Sequence, residues 1–290
     1  MTEDGEHPPD ARLIGGRYRL AGRLGAGPSG TVWRARDEQE HRDVAVRQPL
    51  LPGDPATDEA SRRLARRLYH EARAATLVRH PSAVTVYDVV TEAGVPWTVM
   101  ELVAGESLRE ALRRGPLPPA KAARMGLAVL GALRAAHTVG IVHRNVKPSN
   151  VLLETATGRV VLTGFGTGGS SAGDTAAGFV APERAAGPGA GPASDLWSLG
   201  ALLRTALGPT DPGPLAPLLD RLQAEEPEAR PGAAEVDAAL RDHLGLTAVP
   251  DPDPHPTPTP SPTPSPAPDP RRRTPLAALG LLLAKKPGVE

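Results

Sequence analysis

The stretch His143-Arg144-Asn145-Val146-Lys147-Pro148-Ser149-Asn150 is the part of this 290-residue chain from which its fold can be predicted. Working outward, other short motifs flank it in a fixed order. Before it come the glycine-rich turn Leu24-Gly25-Ala26-Gly27-Pro28-Ser29-Gly30-Thr31-Val32, the strand-like Val44-Ala45-Val46-Arg47 and a helical segment with Glu71; after it come Gly164-Phe165-Gly166, Ala181-Pro182-Glu183, Asp195-Leu196-Trp197-Ser198-Leu199-Gly200 and Arg230-Pro231. A glycine-rich turn between strands lets backbone amides approach phosphate oxygens, although alone it equally fits a hairpin without a ligand.

Together, the order and spacing of these motifs closely resemble the bacterial serine/threonine protein kinases of the eukaryotic-like type. The resemblance covers about residues 17 to 245. It implies an α+β, protein-kinase-like bilobal fold, with a small β-rich N-lobe and hinge over 17–103 and a larger helical C-lobe over 104–245. Residues 1–16 are expected to be a disordered N-terminus.

The same resemblance implies a nucleotide slot between the lobes. The resemblance implies that backbone amides of the turn that contains Gly25, Gly27 and Gly30 approach the phosphates of ATP. Met100 would be the gatekeeper, and backbone groups of Glu101 and Val103 would form hinge contacts. The apolar lining of the adenine slot would come from Leu24, Val32, Ala45 and Leu152, each of which also fits ordinary core packing.

Three positions depart from the family pattern where its chemistry takes place. Arg47 stands where a phosphate-anchoring lysine is expected, and it could either pair with Glu71 or fill part of the phosphate space. Asn145 replaces the catalytic-loop aspartate, and a neutral amide cannot accept a proton from a substrate hydroxyl. Gly164 replaces the metal-binding aspartate and offers no side chain to Mg²⁺.

Other family positions remain. Lys147 and Asn150 would leave a γ-phosphate contact and half of a metal site, so ATP binding stays open, whereas Mg²⁺ binding is expected to be weak or absent and no metal site is predicted. Glu183 and Arg230 match a buried ion pair, and Asp195 matches a residue that holds the catalytic-loop backbone. Counting back from Ala181, Ala176 falls where a substrate-facing threonine is expected, with Thr175 one place earlier.

Composition narrows the remaining classes of protein. The formal net charge is zero, so we expect no nucleic-acid partner, and the absence of cysteine fits a cytoplasmic protein. The first ten residues lack the basic and apolar regions of a signal peptide. Proline-rich residues 246–270 are predicted to be an extended linker, and the basic, briefly apolar tail 271–290 is too short to span a bilayer but could contact a membrane surface.

These features favour a pseudokinase, a regulatory or scaffolding module that binds protein partners, among them an active kinase or a regulatory complex. One alternative is a weak or unconventional serine/threonine protein kinase in which Arg47 replaces the lysine. The other is a membrane-proximal interaction module that works through its tail.

Overall fold

The N-terminal part of the chain folds around one antiparallel sheet, as its alternating apolar segments predict. The computed structural model describes residues 12–166, 178–186 and 191–246. Six strands form this sheet in the order β1-β2-β3-β4-β6-β5. They are β1 Leu13–Ile14, β2 Tyr18–Gly27, β3 Gly30–Asp37, β4 Arg42–Pro49, β5 Val86–Glu92 and β6 Val95–Glu101.

The first strand corrects the predicted N-terminal boundary. Leu13 and Ile14 pair with β2, and Ile14 is fully buried beside Tyr18 and Trp97. The expectation of disorder over 1–16 is therefore wrong for residues 12–16, because burial of Ile14 fixes this short segment on the sheet. Residues 1–11 lie outside the described part of the chain.

One helix crosses this sheet and carries Glu71. Helix α1 spans Glu59–Ala75 and begins at Asp58, whose side chain accepts the Ser61 backbone N–H. This is an N-cap, which satisfies one of the amides left unpaired at a helix start. Its buried face consists of Ala65, Leu68, Ala72 and Ala75, and its opposite face carries several arginines.

The C-terminal part is mainly helical, as predicted. A small three-stranded sheet, β7-β8-β9, lies at its start. The strands and α-helices of the C-terminal part are β7 Gly105–Ser107, α2 Leu108–Ala111, α3 Pro119–Thr138, β8 Val151–Glu154, β9 Val160–Leu162, α4 Pro182–Ala186, α5 Pro192–Leu207, α6 Ala216–Leu222 and α7 Ala233–His243.

Two apolar cores follow this division. The smaller lies against the six-stranded sheet, and the larger joins helices α3, α5 and α7 to β8, β9 and the end of α1. Helix α3 is buried along most of its length, which explains its nearly continuous apolar sequence. Within 12–166, 178–186 and 191–246, no helix has both the length and the apolar character needed to cross a membrane.

Candidate nucleotide and catalytic site

The glycine-rich turn is the β2–β3 hairpin, in which Gly27 faces Gly30 across the turn. Gly30 has φ +128°, and a Cβ there would lie 2.0 Å from the backbone oxygen of Gln48, so this position requires glycine. At Gly25 and Gly27, by contrast, an added Cβ would meet no protein atom within 4 Å. The backbone at Gly25 and Gly27 is therefore accessible, as phosphate binding would need, and we call this accessible stretch of the hairpin the open cradle.

Arg47 lies on β4 directly under this hairpin, opposite Val32 of β3. Its Nη2 donates a hydrogen bond of 2.6 Å to the backbone oxygen of Ser29 at the hairpin tip. The arginine therefore ties the tip to the sheet and brings a cation next to the open cradle.

Glu71 faces the catalytic loop. Its carboxylate lies 3.7 Å from Nη1 of Arg144 and 4.0 Å from Nε of Arg67. Glu71 thus faces one arginine of the catalytic loop and one of its own helix.

Some of the residues expected around the adenine slot lie near one another. Ala45 is buried and lies opposite Met100 in the strand register. Three of the others, Met100, Val103 and Leu152, are partly buried against the larger core. Leu24 is 52% exposed, as a residue at the mouth of a cleft would be.

Glu101 is fixed by contacts the sequence did not predict. Its backbone N–H donates to Thr85 over 2.9 Å, and its carboxylate accepts the Thr85 N–H over 3.3 Å. The same carboxylate forms an ion pair with Arg159. The segment from Glu101 to Val103 is thereby held in place between the lobes.

Asp195 holds the catalytic loop, as the motif match implied. This fully buried carboxylate accepts the backbone N–H groups of His143 and Arg144, each over 2.8 Å, and lies 2.7 Å from Nε2 of His137. Arg144 has φ +64°, an uncommon conformation for a non-glycine residue that these hydrogen bonds hold in place.

His143 is held as a neutral imidazole. Its Nδ1 accepts the Asn145 N–H over 3.2 Å, so its Nε2 carries the proton and donates to the Thr163 backbone oxygen over 2.8 Å. Burial lowers the pKa of His143, and Phe165 packs edge-on against the ring at 4.6 Å. The histidine is therefore a structural link between the loop and the strand before Gly164.

Two of the predicted catalytic positions, Asn145 and Gly164, meet at Asn150. Its Nδ2 donates to the Asn145 backbone oxygen over 2.7 Å, and a Cβ added to Gly164 would lie 3.1 Å from the same nitrogen. Lys147 is buried in this loop. The structure thus brings Asn145, Asn150 and Gly164 together, with side-chain amides as the only polar side-chain groups among these three.

This donor set does not fit a magnesium ion. Mg²⁺ prefers octahedral oxygen coordination with one or two carboxylates, and here Asn150 and Asn145 offer only neutral amide oxygens. The described residues contain no group of three or more His, Cys, Asp or Glu side chains placed to hold a metal. A nucleotide fits better, since the cradle at Gly25 and Gly27 is open and Arg47 is adjacent.

The C-lobe frame contains the expected buried ion pair. The guanidinium of Arg230 is fully buried and donates to both oxygens of Glu183, over 2.7 and 2.8 Å. Ser194 also donates to Glu183 over 2.7 Å. These interactions, led by the bond from Arg230, lower the pKa of Glu183 to about 2.

Sequence reasoning missed the role of Arg184, which follows this glutamate. Its half-buried guanidinium donates a hydrogen bond to the Arg144 backbone oxygen, 40 residues away in sequence. Only the adjacency to the Ala181-Pro182-Glu183 motif could have drawn attention to it. Thr175, Ala176, the linker over 247–270 and the tail 271–290 lie outside the described residues.

Comparison with known proteins agrees with this geometry. Residues 18–236 match the protein kinase domain family. The chain is 36% identical over 240 residues to a probable serine/threonine-protein kinase of Streptomyces coelicolor, covering 76% of this chain and 35% of that protein. It is 34% identical over 244 residues to the serine/threonine-protein kinase PknL of Mycobacterium tuberculosis, covering 79% and 60% respectively.

A solved structure also shows the similarity to protein kinases. The crystal structure of the Mycobacterium tuberculosis PknI kinase domain has a TM-score of 0.68 and 25% identity, covering 82% of this chain and 99% of that one. The chain spans only 35% and 60% of the length of the two curated relatives named above. The chain belongs to the bacterial eukaryotic-like serine/threonine protein kinase family and has its two-lobed fold.

Proposed function

We propose that this chain is a pseudokinase that binds nucleotide in its cleft without efficient phosphoryl transfer and acts by binding protein partners. The observation that supports this most directly is the meeting of Asn145, Asn150 and Gly164 with no carboxylate among them. The chain has the kinase frame and lacks the groups on which the chemistry depends.

Phosphoryl transfer relies almost entirely on positioning and electrostatic stabilisation. The amide of Asn145 cannot take up the proton of an attacking hydroxyl, and Gly164 supplies no oxygen to a metal. Loss of one such stabilising group commonly lowers the rate by about 10²–10³-fold. The losses act as a unit and need not multiply, but each one lies on the same reacting centre.

Nucleotide binding is supported by different residues. The open cradle at Gly25 and Gly27 and the nearby guanidinium of Arg47 suit an anion. ATP would bring a triphosphate to this cradle, and Arg47 would offset part of its charge. Because Asn145 and Asn150 supply only neutral amide oxygens, we expect nucleotide binding that does not require a divalent metal.

Partner binding follows from the preserved frame. The ion pair of Glu183 with Arg230 and the hydrogen bonds of Asp195 maintain a kinase-shaped surface, which would engage an active kinase or a regulatory complex. Peripheral membrane contact through 271–290 belongs to the same proposal and rests on sequence alone. Co-sedimentation with anionic liposomes, with and without those residues, tests it.

The test of the proposed function compares two glycine substitutions on β2. Gly27→Val fills the open cradle, whereas Gly22→Val places the same side chain in equally open space on the same strand, away from the turn. We expect ATP to stabilise the wild type and Gly22→Val with or without EDTA, and to stabilise Gly27→Val much less. ATP at about 100 times its Kd should raise the free energy of unfolding by about 2.7 kcal/mol.

The same three proteins are then incubated with labelled ATP, Mg²⁺ or Mn²⁺ and a generic protein substrate. We expect background incorporation from each. Turnover by the wild type that Gly27→Val abolishes and Gly22→Val retains would refute the pseudokinase proposal. A lack of stabilisation by ATP in all three would remove nucleotide binding from it.

A weak serine/threonine kinase is the second candidate, favoured by the presence of Lys147 and Asn150 in the same buried loop. The combined substitution Arg47→Lys, Asn145→Asp and Gly164→Asp distinguishes the two. A large gain in turnover means that the cleft binds ATP in a productive orientation. No gain favours a scaffold whose cleft has lost that orientation.

A further inference from the structure

A concave site lies beside helix α1. It is a groove of about 560 Å³ between one face of α1, the loop before that helix and the β5–β6 turn. The helix contributes positions 62, 65, 66, 69 and 70, which is the spacing of a single helix face. The volume lies within the range of about 300–1,000 Å³ that is usual for ligand sites.

The loop before the helix is hydrogen-bonded to the helix. Arg62 donates to the backbone oxygens of Pro55 and Ala56, each over 3.0 Å, and to Glu59 over 2.8 Å. At the β5–β6 turn, a Cβ on Gly94 would lie 3.2 Å from Cγ of Pro55. The hydrogen bonds of Arg62 tie the loop to the helix, and the turn lies close to Pro55 of the loop.

The lining combines apolar surface with positive charge. Prolines, alanines and the ring of Tyr69 supply the apolar part, and none of the lining residues is acidic. Arg62 is engaged by Glu59, but Arg66 is exposed and has no hydrogen bond or ion pair in the described part of the chain. His70 lies one residue beyond Tyr69, with the two rings edge to face at 5.6 Å.

This combination selects one class of partner. A nucleic acid would need several cations along its backbone, and here one unpaired arginine accompanies a mainly apolar lining. A segment of protein with apolar or aromatic side chains between acidic ones matches both features: its side chains bury apolar surface while a carboxylate pairs with Arg66. We propose that this groove docks an acidic, apolar peptide segment of a partner protein, which deepens and rests on the partner-binding part of the proposed function.

The test uses the full-length chain and fluorescence anisotropy. The probe is a fluorescein-labelled heptapeptide with two phenylalanines among glutamates, and its counterpart has lysine at every glutamate position. Arg66→Glu reverses the charge in the groove, and Thr91→Trp fills the groove from the exposed side of β5. Arg63→Glu is the matched control, because Arg63 is exposed on the same helix and does not line the groove.

We expect the wild type to bind the acidic peptide at least about tenfold more tightly than the lysine peptide, which corresponds to one well-formed charged contact. Arg66→Glu and Thr91→Trp should each weaken binding by about tenfold, and Arg63→Glu by less than about twofold. Equal losses with Arg63→Glu and Arg66→Glu, or no binding up to about 1 mM, would overturn the proposal. Tighter binding of a short single-stranded oligonucleotide with the same Arg66 dependence would also overturn it.

The result of the peptide-binding experiment does not depend on whether the protein transfers phosphate. Wild-type turnover of ATP would refute the pseudokinase proposal and leave the peptide measurements valid. Failure of the peptide to bind would leave the turnover and nucleotide experiments unaffected.

Discussion

Restoring a carboxylate at position 164 should make nucleotide binding depend on metal, at a cost in stability. Gly164 has φ +89°, and a side chain in a left-handed conformation costs about 1–2 kcal/mol, somewhat less for Asp and Asn. The new Cβ would also lie 3.1 Å from Nδ2 of Asn150, which must move slightly or tilt away from Asn145. We therefore expect Gly164→Asp to unfold roughly 2–8 °C below the wild type without ligand.

The gain should come from a metal shared by the new carboxylate, the Asn150 oxygen and nucleotide phosphates. The Oδ1 of Asn150 would lie 3.6 Å from the added Cβ, so the two side chains can face one ion. With ATP and Mg²⁺ at about 100 times Kd, the stabilisation is about 2.7 kcal/mol and exceeds the strain. Thermal unfolding is measured with no ligand, with ATP and EDTA, and with ATP and Mg²⁺.

Gly164→Asn is the matched control for this experiment. It introduces the same strain and the same contact with Asn150, without the negative charge. Only Gly164→Asp should therefore gain from Mg²⁺ in the presence of ATP. An equal gain in both variants, or a magnesium-dependent gain of the same size in the wild type, would refute the conclusion that the missing carboxylate excludes the metal.

Three further predictions concern other parts of the protein. Arg230→Met should lower the free energy of unfolding by about 3–5 kcal/mol in urea, because it leaves the carboxylate of Glu183 largely buried without its cation, and Glu183→Gln in the same background should recover part of the loss. Burial lowers the pKa of His80, so the free energy of unfolding should fall as pH drops below about 6.5. His80→Asn, which retains an acceptor for the Ser82 N–H, should reduce the loss of stability between pH 7 and pH 5 in denaturation experiments. An unchanged loss would rule out His80 as its source. Arg47→Met should weaken ATP binding by about tenfold and leave adenosine binding unchanged in calorimetry, whereas equal losses would limit Arg47 to holding the hairpin.

The sequence was a good guide wherever a motif or a periodic pattern carried the information. The partners of Asp195 and Glu183 were predicted from motif positions alone, and the structure places them in contact. The helical segment with Glu71 was predicted without exact ends, and helix α1 runs over Glu59–Ala75 because Asp58 caps its start and the chain turns away after Thr76. Element ends depend on such local hydrogen bonds, which periodicity does not resolve.

What the sequence could not reveal depends on contacts between distant residues. A strand of two residues such as Leu13–Ile14 has no detectable alternation, and it exists because β2 is there to pair with it. The hydrogen bonds of Arg184 to Arg144 and of Arg47 to Ser29 join residues 40 and 18 positions apart. The groove beside α1 is made by three segments, none of which carries a motif.

The positions of the acidic residues bear on the proposed loss of phosphoryl transfer. Glu183 and Asp195 are largely or fully buried and satisfied by cations or backbone amides, so removing either leaves unpaired partners and destabilises the fold. Carboxylates at positions 145 and 164 would instead meet at Asn150, where without a metal their charges would repel. Once phosphoryl transfer is not required, neutral residues there remove that repulsion at no structural cost. Under the proposed pseudokinase function, neutral residues at 145 and 164 and paired carboxylates at 183 and 195 would therefore both favour a stable fold.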